Sequence, residues 1–156
     1  MRWLYLLLWI VLTLAVGGIS GYLTAGSVDG WYRTLVRPSF APPNWVFGPV
    51  WTLLYLIMGI AVWLATSATT GPLRNRIIIV FLVQLSLNFL WSLIFFNRHE
   101  IGLALIEVLV MWIAIAASAW LFAQCSRIAA LMMLPYLAWV TFASALNAGF
   151  WWLNRK

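Results

Sequence analysis

Apolar residues in this chain come in long unbroken runs, and the charges fall between the runs. No charged residue lies between Arg2 and Asp29, Arg37 and Arg74, Arg76 and Arg98, or Arg127 and Arg155; Glu107 stands alone between Glu100 and Arg127. Each interval holds the roughly 20 apolar residues that a helix needs to cross a bilayer core of about 30 Å. Backbone groups in hydrocarbon must be paired within the segment, so such runs read as helices. The pattern predicts an all-α integral membrane protein, a single domain over 1–156. It is a bundle of five transmembrane helices near 3–25, 44–67, 77–97, 101–124 and 128–152.

The connections are unequal. Three are short and force neighbouring helices to run antiparallel. The first, Gly26 to Pro43, reads as a long structured loop: Trp31, Tyr32, Leu35 and Val36 have helix-like spacing, and Pro38, Pro42 and Pro43 follow. A surface turn leading into an extended stretch fits that pattern. A plain interfacial tether and a lid over a site both remain open. The first apolar run is longer than a signal-peptide core and reads as a retained helix. The chain shows no internal repeat, which argues against an inverted-repeat transporter.

Composition adds limits. With 65% hydrophobic residues in 156, five spans leave no room for a soluble domain. A net charge of +6 points to anionic lipid headgroups and not to nucleic acid. The single Cys125 excludes an internal disulfide and a cysteine metal cluster. His99, the one histidine, reads as a solvated loop residue and not a haem ligand. Arg2, Arg74, Arg76 and Arg127 lie on one side of the membrane, and Arg33, Arg37, Arg98, Arg155 and Lys156 on the other. That balance specifies no orientation.

Polar residues inside the spans are costly and face the bundle interior. From the loop-1 side, the helical rise puts Asn88 about 13 Å, Glu107 about 9 Å and Asn147 about 8 Å deep. Gln84 lies one turn deeper than Asn88. Gln84, Asn88, Trp91 and Phe95 share one helix face; Tyr136, Trp139, Ala143 and Asn147 share another. Trp51 falls about 10 Å below loop 1. Of the twelve tryptophans, Trp3, Trp45, Trp63, Trp151 and Trp152 sit where headgroup anchors belong; Trp51, Trp112 and Trp139 are too deep for that belt. Individually these groups are equally well explained by interhelical hydrogen bonds and core packing. Together, at a shared depth, they outline a pocket of flat rings and a few amides suited to a large, flat, apolar ligand. Gly17, Gly21 and Ala25 make a small-residue face on the first helix, as do Ala114 and Ser118 on the fourth, for contact within the monomer or between two. Pro135 predicts a kink in the fifth helix.

Arg37–Tyr55 (RPSFAPPNWVFGPVWTLLY), Gln84–Phe96 (QLSLNFLWSLIFF), Pro135–Asn147 (PYLAWVTFASALN) and the WYRTL of loop 1 resemble the tryptophan-rich sensory protein family, also called translocator proteins or peripheral-type benzodiazepine receptors. The resemblance covers essentially the whole chain. It implies a five-helix membrane protein, often dimeric, that binds porphyrins such as protoporphyrin IX, sterols in some members, and benzodiazepine-site ligands. The porphyrin is a ligand, and no resident cofactor or metal is implied. Carried over by motif, Trp51 and Trp139 would wall the pocket, Asn88 would make the polar contact, and Trp31, Pro42 and Pro43 would shape the lid. Tyr32, Phe40, Tyr55, Gln84, Trp91, Glu107, Tyr136, Ala143 and Asn147 complete the candidate set. Some bacterial members are implied to break down protoporphyrin in light, with the two pocket tryptophans as reactants. The C-terminal LNAGFWWLNRK lacks the tyrosine of the animal sterol motif. Sterol binding is therefore a weak expectation, and the short tail points to a bacterial cell membrane, with the outer membrane left open.

The expectation is a membrane receptor or sensor for tetrapyrroles, with transport or light-dependent breakdown as its outcome. The alternative is a proton-coupled exporter of lipophilic compounds using Glu107. A plainer role for Glu107 is a carboxyl hydrogen-bonded or held protonated in the bundle.

Overall fold

The computed structural model describes residues 2–155; Met1 and Lys156, the latter counted above among the loop-1-side charges, lie outside them. Among the described residues the chain is helical without strands. The elements are α1 (Arg2–Asp29), α2 (Phe47–Ser67), α3 (Gly71–Ser92, continuing through a π-helical turn, Leu93–Asn97), α4 (Ile101–Ala123), α5 (Arg127–Met132) and α6 (Leu134–Asn154). They form five helices long and apolar enough to cross a membrane, α5 and α6 together making the fifth. Packing runs α1 to α2, α2 to α5, α6 to α4, α4 to α3 and α3 back to α1, which closes a ring.

Two spans extend beyond the expected ends. The third begins at Gly71 and not near 77, with Pro72 in its first turn. Proline lacks the N–H that a first turn leaves unpaired anyway. Arg74 and Arg76 therefore ride on the helix, where long basic side chains reach the headgroups. The first runs to Asp29 and not 25, which shortens the connection to α2. That connection holds short 3₁₀ turns at Trp31–Thr34 and Asn44–Val46. Arg37 donates to Asn44 Oδ1 at 2.9 Å and to the Pro42 carbonyl at 2.8 Å. Asn154, at the end of α6, bonds both the N–H and the C=O of Val36, at 2.9 and 3.0 Å.

The kink expected at Pro135 is an interruption: Met133, two residues before the ring that cannot donate, separates α5 from α6. At the opposite end of the bundle, the π turn carries Arg98 N–H to the Leu93 carbonyl at 3.0 Å. The extra residue in that turn re-aims the aromatic side chains it bears.

Gly59 lets α2 pack against the backbone of α1. A Cβ there would lie 2.9 Å from Ile10 Cα and 2.9 Å from Thr13 Oγ1. Backbone cannot yield as a flexible side chain can, so Gly59→Leu is expected to lower stability by about 1–3 kcal/mol through overpacking. Gly26→Ala, at a site with nothing within 4 Å, should be neutral or slightly stabilising. Thermal unfolding in detergent checks both; a wild-type Tm for Gly59→Leu would contradict the packing described.

Candidate functional site

The spacing of small and aromatic residues creates a cavity of about 600 Å³ in the half of the bundle next to the α1–α2 connection. It lies between α1, α2, α6 and the end of α3. Aromatic rings form its walls. Trp51 and Trp139 meet edge to face, with centroids 6.4 Å apart and planes at 88°. Trp51 also lies 5.7 Å from Tyr55, and Phe47 5.9 Å from Trp139. Across the cavity, Trp91 stands beside Phe95 at 5.5 Å. Trp91 Nε1 donates to Asn147 Oδ1 at 3.1 Å, and Asn147 Nδ2 donates to the Ile101 carbonyl at 2.9 Å. That amide is thus fixed from two sides. Trp139 Nε1 is buried without a partner in the protein.

The α1 wall is made of absence. Gly17, Gly18, Gly21 and Ala25 line the cavity. A Cβ on Gly17 would overlap the Tyr55 ring, whereas one on Gly18, Gly21 or Gly48 would meet nothing within 4 Å. Gly18, Gly21 and Ala25 on α1 and Gly48 and Thr52 on α2 are exposed lining residues. The two helices therefore touch at the Gly17–Tyr55 crossing and part beyond it, and the cavity opens between them toward the bilayer.

Beneath the floor is a closed polar node. Tyr55 OH donates to Asn88 Oδ1, and Asn88 Nδ2 donates to Tyr136 OH at 2.9 Å. Asn88 is 1% exposed and Tyr136 fully buried. Three helices are joined by this one carboxamide, in a region without water to replace a lost bond.

Of the residues singled out in the sequence, Tyr32, Trp51, Tyr55, Trp91, Trp139, Ala143 and Asn147 lie on the cavity wall. Asn88 and Tyr136 lie outside it: Asn88 bonds both tyrosines, and the Tyr136 hydroxyl accepts from Asn88 and donates to Met111 Sδ. Gln84 is deeper still, with Nε2 3.9 Å from Met58 Sδ and Oε1 unpartnered. Glu107 is buried away from the wall, and neither carboxyl oxygen has a partner. Trp31 turns to His99, stacking at 4.2 Å with planes 16° apart, which also explains how this exposed histidine is held with φ at 59°. Phe40 sits half exposed, edge-on to Phe142 at 6.4 Å. Pro42 and Pro43 belong to the connection and not the wall. Sequence reasoning missed Phe47, Phe96 and Phe150 as lining; of the small-residue face on α1, Gly17 makes the expected helix contact and Gly21 and Ala25 line the cavity. Tyr32, in the first turn of the connection, is buried against Phe95 and Phe150, and burial raises its phenol above the ordinary value against a smaller opposing pull from Arg37. It stays neutral at physiological pH.

Five long apolar helices around a cavity walled by aromatic rings define a multi-pass membrane protein. The chain belongs to the TspO/MBR family, whose model matches residues 9–153. The tryptophan-rich protein TspO of Archaeoglobus fulgidus is 40% identical over 93% of this chain and 94% of its own length. Its namesake in Chlorobaculum tepidum is 42% identical over 92% of each chain. The human translocator protein is 39% identical over 78% of this chain and 73% of its own.

Breaking the node should cost stability. Asn88→Leu leaves the Tyr55 hydroxyl unpaired and the Tyr136 hydroxyl with only Met111 Sδ, 3.9 Å away, an expected loss of about 1–3 kcal/mol. Adding Tyr55→Phe and Tyr136→Phe should recover part of it, because no orphaned donor then remains. Gly17→Ala should also destabilise, by pushing the Tyr55 ring off α1. Unfolding in detergent reads all three, and a triple variant no more stable than Asn88→Leu alone would refute the node.

Proposed function

We propose that the protein is a membrane receptor for porphyrin-type tetrapyrroles, taken from the bilayer into the aromatic cavity. Family membership supports a membrane sensor or transporter role. The observation that carries the ligand class is the wall itself: perpendicular indoles at Trp51 and Trp139 in a cavity whose volume of about 600 Å³ falls within the range of small-molecule sites. A broad, flat macrocycle matches such a wall through stacked and edge contacts. The opening between α1 and α2 offers passage to a ligand that partitions into lipid. The connection from Gly30 to Pro43, pinned to α6 by Asn154, is the lid of this site. Asn147, held by Trp91 and the Ile101 carbonyl, keeps one N–H and one lone pair for polar substituents of the ring.

A second reading rests on Glu107, a buried carboxyl whose oxygens have no partner. Such a group within a membrane is a functional candidate by its cost alone, and a proton-coupled exporter would use it. Its position away from the cavity wall favours the receptor.

Titration of protoporphyrin IX, followed by its Soret absorbance and not by tryptophan emission, separates the two. Trp51→Phe and Trp139→Phe are each expected to weaken binding by about 0.5–1.5 kcal/mol, roughly a factor of 2 to 12 in Kd. Glu107→Gln should bind as wild type does. Unchanged affinity in both tryptophan variants, together with a loss in Glu107→Gln, would replace the receptor reading with the exporter.

A further inference from the structure

A second cavity lies at the opposite end of the bundle, where α1 begins and α2 hands over to α3. It measures about 240 Å³ and is lined by Arg2, Tyr5, Arg74 and hydroxyl residues that include Ser67 and Thr70. Arg74 is held over the Tyr5 ring, 5.9 Å from its centroid. Its Nε is buried and has no partner among the described residues. Among the described residues the one ion pair is Arg33–Asp29, on the far side of the membrane. Neither arginine of this pocket is neutralised.

The surroundings raise the local positive potential further. All three acidic residues are elsewhere: Asp29 ends α1 and Glu100 follows α3 on the other face, and Glu107 is inside α4. Arg76 and Arg127 share the face of the pocket. α3 starts at Gly71 with no side-chain cap from Thr70, so the free amides of a 22-residue helix point their dipole the same way. Depth is marked by Trp3 and Trp63, stacked 6.1 Å apart at span ends where tryptophan meets headgroups. Trp63 Nε1 donates to the Arg2 carbonyl at 3.1 Å, tying the first turn of α1 to the last of α2.

We propose that this pocket binds a phosphate oxyanion, with Arg2 and Arg74 as its charged ligands and the Ser67 and Thr70 hydroxyls as further donors. The chemistry is phosphate recognition by guanidinium, which pairs two N–H groups with two oxygens. At this depth the oxyanion comes from an anionic lipid headgroup or from free phosphate on that side. The site is separate from the aromatic cavity, with the thickness of the bundle between them.

Native mass spectrometry of the full chain released from detergent tests this, with phosphatidylglycerol or phosphatidylcholine added at equal concentration. The wild type should retain one phosphatidylglycerol in preference to phosphatidylcholine. Arg74→Gln should lose that preference by about tenfold, whereas Arg127→Gln, on the same face outside the pocket, should keep it. Circular dichroism and Tm of Arg74→Gln confirm that it folds; should it not, Arg2→Gln carries the same expectation. Displacement of the lipid by inorganic phosphate identifies the free anion as the ligand, and retention against it identifies the lipid; both support the site. Equal retention of the two lipids by the wild type, or an unchanged preference in both folded arginine variants, overturns it.

Discussion

A hydrogen bond broken in hydrocarbon finds no water to replace it, and Asn88 is where this bundle meets that constraint. Its carboxamide accepts from Tyr55 on α2 and donates to Tyr136 on α6. Tyr55 reaches it only because Gly17 leaves its ring room against α1. Four spans are therefore placed by one amide and one missing methyl group. Everything on the loop side of that node is positioned by it: the floor of the cavity, the indoles above, and the point at which α1 and α2 begin to part.

Above the node the chain uses irregularity to make space. The π turn at Leu93–Asn97 re-aims Phe95 and Phe96, and glycines on α1 and α2 leave the cavity's bilayer side without side chains. The break at Met133, next to Pro135, lies below the node and leaves α6 free to take its own path past Trp51. Close packing below and open space above come from the same two helices, differing in whether a glycine faces a partner or nothing.

Five spans were legible because charge in hydrocarbon is costly, and the gaps between charges measure the bilayer directly. Their ends were less legible. Arg74 and Arg76 look like loop residues in the sequence, yet lie in the first turns of α3, since an arginine stem can follow apolar surface while its head reaches water. Depth along a helix was also readable: rise puts Trp51, Trp139 and Asn147 at the level of the cavity, and the face shared with Asn88 puts Trp91 there. Facing at finer scale was not. Asn88 and Tyr136 have the right depth and roughly the right face, but whether an amide meets a ligand or a neighbouring hydroxyl depends on two other helices. The glycines of α1 carried a signal that reads two ways, as close contact or as vacant wall, and both occur: contact at Gly17, wall at Gly21. The family resemblance assigns Trp31 to a lid, and its stacking on His99 depends on a left-handed residue that no periodicity announces.

The two ends of the bundle thus differ in chemistry: an aromatic, lipid-facing cavity beneath the α1–α2 connection, and an arginine pocket without acidic neighbours at the other surface. The central claim concerns the first. Its most direct test is an experimental structure determined in lipid with protoporphyrin IX present. The account predicts the macrocycle between α1, α2 and α6, its face or edge on Trp51 and Trp139, with Asn88 still bonded to both tyrosines. A porphyrin seated on the outer, acyl-facing surface, with the cavity closed by movement of α1 onto α2, would contradict it.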